Sequence, residues 1–125
     1  MNILTKIIGT FFVIFGITKI IPVLGFGYGF AGTVGFVASL GYPFAAALVI
    51  AAIIAEIALG LILLLRPAGS TEVKYAAYGL LVFTILATLM FHVPFIGGET
   101  LTAELTATLK NVVTAAALWA VAKTA

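Results

Sequence analysis

Four apolar runs, each long enough to form a membrane-spanning helix, divide this chain. They cover residues 3–21, 44–65, 75–91 and 105–122. About 20 helical residues, at a rise of roughly 1.5 Å each, cross the hydrocarbon layer of a bilayer. Only 8% of the residues are charged, whereas a soluble domain carries roughly 25%. We therefore predict an all-α protein, a four-helix bundle integral to the membrane, with residues 1–125 as a single transmembrane domain.

The segment between the first two runs is rich in glycine and carries no charge. Pro22 ends the first run, glycines recur through residues 25–32, and the apolar stretch at 33–40 is too short to span a bilayer. Non-helical backbone at membrane depth requires cover from protein or water. We therefore predict a short interfacial or re-entrant helix in this segment. The first run lacks a small-x-small cleavage site, and we expect it to remain as a helix.

The charges in the loops predict an orientation. With four spans, the amino terminus, the loop after the second span and the carboxyl terminus share one side. The basic residues of that side are Lys6, Arg66, Lys74 and Lys123. The loops of the opposite side carry only Glu99 and Glu104. Because basic loops stay on the cytoplasmic side of a membrane, we predict that both termini are cytoplasmic.

Glu56 is the most informative ionisable residue, since it lies near the middle of the run at 44–65. A charged side chain at the centre of a spanning helix costs about 2.5–3.5 kcal/mol on insertion scales. Ala52 and Gly60 lie on the same helical face, and small residues mark the face where helices approach closely. We predict that Glu56 points into the bundle. A purely structural buried carboxyl is the alternative interpretation.

Four more polar residues lie within or at the ends of the predicted spans. They are Lys19, His92, Lys110 and Asn111. In the predicted topology all four fall in the outer half of the bundle, above Glu56. We interpret the five residues as candidates for ligand binding or proton relay in an outward-facing polar pocket, with no catalytic residue assigned. The structural alternatives are that Lys19 extends its ammonium to the membrane interface and that His92 is an interfacial cap.

The chain has one histidine and no cysteine. This composition predicts no metal site, and it excludes disulfides and iron–sulfur clusters. The six basic residues are scattered through apolar sequence, so we expect no nucleic-acid partner.

Short motifs in the four runs carry a family resemblance. They are Gly16-Ile-Thr-Lys19-Ile, Glu56-Ile-Ala-Leu-Gly60-Leu-Ile-Leu, His92 at the end of the third run, and Lys110-Asn111-Val. Their order and spacing, together with the length of the chain, resemble the DoxX family of small bacterial membrane proteins. Lys6 is a loose match to a basic residue near the start of the family's first helix. The resemblance implies a multi-pass protein of the bacterial cytoplasmic membrane that is linked to redox chemistry.

The leading functional hypothesis is a quinone-binding or redox-linked membrane subunit, because relatives in this family form part of a thiosulfate:quinone oxidoreductase. A single histidine cannot supply bis-histidine haem ligation, and no flavin motif is present. We therefore expect no intrinsic cofactor beyond a quinone, and at most a subunit of a membrane oxidoreductase with a redox partner protein. The alternatives are a small proton-coupled transporter or channel for an anionic solute, or a structural subunit. Either role favours a homodimer or a heteromeric complex within the lipid bilayer.

Overall fold

The computed structural model describes residues 2–22, 25, 27–95, 97–98 and 101–124, and these residues form five helices and no strand. The helices are α1 (Asn2–Thr18), α2 (Gly29–Ser39), α3 (Ala45–Leu65), α4 (Thr71–Phe91) and α5 (Leu101–Thr124). A 3-10 turn at Val93–Phe95 follows α4. The predicted all-α class is confirmed.

Three of the helices, α3, α4 and α5, are long and apolar enough to cross a membrane. The helices α1 and α2 are apolar but shorter, with 17 and 11 residues. The structure therefore supports a helical membrane protein.

The helix ends differ from the predicted ends because hydropathy marks the apolar part of a helix and not its polar turns. The helix α4 begins at Thr71 and not at 75, because the Ser70 hydroxyl accepts a hydrogen bond from the Val73 amide and caps the polar first turn. The helix α1 ends at Thr18 and not at 21. Its last residues are apolar, but the chain tightens there into a turn, in which the Lys19 amide donates to the Gly16 carbonyl, before Pro22.

The helix α5 begins at Leu101, four residues before the predicted start at 105. The sequence predicts Thr100 or Thr102 as the N-cap of this helix, and Thr102 is wrong as a cap because it lies inside the first turn. The other predicted cap, Thr100, and the loop charge Glu99 lie outside the described residues.

The glycine-rich segment contains the short helix that the sequence predicts, but α2 starts at Gly29 and not at 33. The Phe30 amide donates a hydrogen bond to the Ile20 carbonyl over 3.1 Å, which ties the start of α2 to the end of α1. The helix then packs against α3. Its interfacial or re-entrant depth stays a prediction.

The helix α1 packs against α3 in the antiparallel direction. Gly9 meets Gly60 so closely that a Cβ at Gly9 would lie 2.8 Å from the Gly60 carbonyl oxygen. At the end of α3, the Lys6 ammonium donates hydrogen bonds to the carbonyls of Leu63 at 3.2 Å and Arg66 at 2.7 Å. A cation at the carboxyl end of a helix is favourable because it meets the negative end of the helix dipole.

The helices α4 and α5 are also antiparallel, since Tyr78 contacts Trp119 near one end and Thr88 contacts Asn111 nearer the other. The buried apolar core lies at the end of the molecule that holds the start of α1 and the end of α5. Its members include Ile8, Phe12, Leu63, Leu80, Leu118 and Val121. The other end of the helices is packed less tightly and encloses a cavity.

Candidate functional site

A cavity of about 1100 Å³ lies between the helices and borders the buried core at Phe12. Its walls come from all five helices and are mainly apolar and aromatic. All five residues that the sequence singles out line this cavity, namely Lys19, Glu56, His92, Lys110 and Asn111. A concave, mostly apolar space with a few polar groups is the usual form of a small-molecule site.

Lys19 and Glu56 form an ion pair across the contact between α1 and α3. The Lys19 ammonium lies 2.6 Å from Oε1 of Glu56. Glu56 is only 3% exposed, in agreement with the prediction that it points inward, and the Lys19 side chain is 26% exposed. Charges removed from water require a close partner, because desolvation costs several kcal/mol per ion. Lys19 therefore extends toward the carboxylate on the neighbouring helix instead of away from the cavity.

The backbone around Glu56 is not an ordinary α-helix. Residues Ala55–Leu59 form a π-helical turn inside α3. Single π-turns within α-helices are rare and frequently occur at functional sites, since the extra residue in the turn redirects the side chains that it carries. No feature of the sequence predicts this turn.

His92 contacts Glu104, which the sequence predicts only as a loop charge. Its ring nitrogen Nδ1 lies 2.7 Å from Oε2 of Glu104. Glu104 belongs to the first turn of α5, and its side chain is 12% exposed. A sequence reading that started the last helix at Leu101 would have placed Glu104 inside α5, beside the end of α4, and would have predicted this pair.

Asn111 takes part in a short chain of hydrogen bonds with two threonines of α4. Its amide nitrogen donates to the Thr88 hydroxyl at 2.9 Å, and that hydroxyl donates to the Thr84 carbonyl at 2.7 Å. Thr84 lines the cavity and is 4% exposed, yet its own hydroxyl has no hydrogen-bond partner among the described residues. Nothing in the sequence marks either threonine as a site residue, because the hydroxyl of a threonine in an apolar helix usually donates its hydrogen bond to a carbonyl of the same helix.

Lys110 differs from the other candidates because its partners are aromatic rings. Its ammonium lies 4.8 Å from the ring centre of Phe15 and 5.7 Å from that of Phe11, both on α1. In the described part of the chain, no carboxylate lies within salt-bridge distance of this ammonium. The structure therefore brings Lys110 to the cavity within electrostatic range of the Lys19–Glu56 pair, but not within salt-bridge distance of Glu56.

The unpartnered hydroxyl of Thr84 leads to a stability prediction. The variant Thr84→Val keeps the shape of the side chain, and we expect it to raise the free energy of unfolding by about 1 kcal/mol in the absence of ligand, because a buried donor without a partner carries a desolvation cost. The matched variant Thr88→Val should lower this free energy, since it removes two hydrogen bonds. Titration with SDS in mixed micelles measures both. Equal effects of the two variants would contradict the conclusion that the Thr84 hydroxyl is buried without a partner.

The fold and the cavity define a helical membrane protein with a mainly apolar site between its helices that holds a few polar side chains. The family model for DoxX matches residues 6–93, and the chain belongs to the DoxX family. Lys19, Glu56 and His92 lie within the matched residues, whereas Lys110 and Asn111 lie beyond them. No curated protein and no solved structure matches the chain.

Proposed function

We propose that α1, α3, α4 and α5 form a four-helix bundle across a bacterial cytoplasmic membrane, with both termini on the cytoplasmic side. The support comes from the distribution of basic residues along the antiparallel helices. Lys6 contacts the end of α3, Arg66 follows α3, Lys74 lies in the first turn of α4 and Lys123 lies in the last turn of α5. These four residues share one end of the molecule, and a basic end favours the cytoplasm.

We further propose that the cavity binds a quinone and that the protein is a redox-linked membrane subunit. The observation that carries this proposal is the cavity of about 1100 Å³, whose apolar and aromatic walls hold a small number of polar side chains. A quinone requires an apolar space for its ring and tail and hydrogen-bond donors for its carbonyl oxygens. The volume and the lining fit both requirements.

Three groups on the cavity walls would hold the polar part of such a ligand. The Thr84 hydroxyl is buried without a partner and is able to donate a hydrogen bond to a carbonyl oxygen. The Lys19 ammonium is a second donor, and the Glu56 carboxylate 2.6 Å away is its ion-pair partner. A bound quinone would supply the electron chemistry, and a partner protein would supply the electrons.

Transport of an anionic solute is the second candidate function. The unpaired Lys110 favours it, because a free ammonium in a cavity attracts an anion. The pairing of Lys19 with Glu56 weighs against it, since among the described residues only Lys110 then offers the cavity an ammonium without a carboxylate at salt-bridge distance. A structural role, in which the polar pairs only fix the register of the helices, is the third. We rank both below quinone binding.

Extraction of the purified protein tests the leading proposal. We expect mass analysis of extracts from mild detergent to find a quinone with the wild-type protein, and roughly tenfold less with Glu56→Gln or His92→Ala, equivalent to about 1.4 kcal/mol of binding free energy. The matched control is Glu72→Gln, which changes an exposed carboxylate on α4 that pairs with Arg66 outside the cavity.

Circular dichroism of each variant separates loss of ligand from loss of fold. A wild-type protein that carries no quinone and binds none when it is added would overturn the proposal. Uptake of an anionic solute into proteoliposomes, lost in Glu56→Gln, would instead support transport.

A further inference from the structure

The two lysines at the cavity differ in their carboxylate partners. The Lys19 ammonium lies 2.6 Å from the Glu56 carboxylate, so this pair carries no net charge when both groups are ionised. The Glu104 carboxylate lies 2.7 Å from the His92 ring and is engaged there. Lys110 has no carboxylate within salt-bridge distance among the residues that the structure describes. Among the residues that the structure describes, Lys110 is thus the cavity ammonium that an acidic ligand can contact without displacing a carboxylate.

The aromatic contacts of Lys110 do not replace a carboxylate partner. Its ammonium lies over the rings of Phe15 and Phe11, and the negative face of an aromatic ring attracts a cation. The rings nevertheless carry no net charge, so they do not neutralise the charge of the ammonium as an anion would. Lys110 is also more than a third exposed, so an anion is able to reach its ammonium.

The position of Lys110 suits a ligand with an acidic head group and an apolar body. It is the tenth residue of α5, far from either end of that 24-residue helix, and it reaches across the cavity to α1. Beside it lie Phe11, Phe15 and further apolar side chains of the cavity wall. An acidic group at the ammonium would therefore continue directly into the apolar part of the cavity.

We infer that the cavity binds a monoanionic amphiphile, with its acidic group against the Lys110 ammonium and its apolar part along Phe11 and Phe15. This inference rests on the proposed function in one respect, since both require that the cavity admit a small apolar ligand. Two sources share the chemistry. One is a quinone with an ionised ring hydroxyl, and the other is a long-chain carboxylate.

Matched pairs of charged and neutral probes test this inference at one pH. The first pair is a 3-alkyl-2-hydroxy-1,4-naphthoquinone, which is ionised at neutral pH, and its 2-methoxy ether. The second pair is dodecanoate and its methyl ester. We expect the charged member of at least one pair to bind wild-type protein in micelles roughly tenfold more tightly than its neutral partner, as measured by calorimetry.

Variants at two lysines of the same helix assign the effect. We expect the ratio of affinities to fall to near one in Lys110→Met and to persist in Lys110→Arg, which keeps the charge. The matched control is Lys123→Met, because the Lys123 ammonium also lies over an aromatic ring, that of Trp119 at 4.6 Å, but outside the cavity. Partition of each probe into micelles is the same for every variant, so a change in the ratio reports the protein.

The outcomes separate this inference from the proposed function. A ratio above one for the quinone pair alone or for the carboxylate pair alone supports the inference and identifies the source. Equal affinities within both pairs, or a ratio that survives in Lys110→Met, overturn the inference while binding of the neutral quinone still supports the proposed function. If none of the four probes binds, both are overturned.

Discussion

Replacing Glu56 with leucine is expected to lower the free energy of unfolding by about 3 kcal/mol, because removal of one member of a buried ion pair leaves the other charge without compensation. Glu56 is 3% exposed, and its partner Lys19 lies 2.6 Å away on the neighbouring helix. Titration with SDS in mixed micelles measures this loss. The double variant Lys19→Met with Glu56→Leu should recover most of it, since an apolar pair of similar volume replaces two desolvated charges.

The exposed ion pair between Arg66 and Glu72 provides the control. Its atoms are 3.6 Å apart, and both side chains are more than half exposed, at 55% and 54%. Exposed pairs contribute little because water and salt screen them. We therefore expect Glu72→Leu to leave the unfolding transition unchanged. If the double variant at Lys19 and Glu56 is no more stable than Glu56→Leu, Glu56 does not stabilise the protein through its ion pair with Lys19.

Replacing Gly9 with alanine is expected to lower the free energy of unfolding by about 2 kcal/mol, because the added Cβ has no room between α1 and α3. It would lie 2.8 Å from both the Gly60 carbonyl oxygen and the Leu64 amide nitrogen, and these backbone atoms cannot move as a side chain can. The two helices would have to separate. Thermal unfolding in detergent and SDS titration both measure the loss.

Gly35→Ala is the matched control for this variant. Gly35 also lies in a helix, α2, but nothing lies within 4 Å of the position that its Cβ would take. Alanine in a helix is favoured over glycine by about 0.8–1.0 kcal/mol, so Gly35→Ala should be neutral or stabilising. Stability of Gly9→Ala equal to that of Gly35→Ala would contradict the close contact of α1 with α3.

The contact at Gly9 also bears on the site. Gly9, Gly16 and Lys19 follow one another along the face of α1 that meets α3, and a Cβ at Gly16 would lie 3.3 Å from the Glu56 Cβ. Close approach at these glycines brings the end of α1 near enough for Lys19 to reach Glu56. We therefore expect Gly9→Ala to reduce quinone recovery as well, although Gly9 does not line the cavity.

The helical class and the inward direction of Glu56 follow from local properties that a sequence displays directly. Apolar runs without charges require helices, because a bilayer offers no partners to backbone amides and carbonyls. The small residues beside Glu56 predict a helix contact, because only small side chains allow close approach. Helix ends are less predictable, as Ser70 and Leu101 illustrate, because polar turns at helix ends resemble loops in hydropathy.

The sequence by itself determined an all-helical membrane protein of the DoxX type and five of the residues that line its cavity. Only the tertiary structure decided how these residues are paired. Lys19 pairs with Glu56, His92 with Glu104, and Asn111 with Thr88, while Lys110 meets two phenylalanines. Each contact joins residues on different helices, so it depends on the rotation and register of both helices. A π-turn at Ala55–Leu59 changes that rotation within α3 itself. Periodicity along one helix carries no information about the register of its neighbour, and for this reason the free charge at Lys110 emerged only from the folded chain.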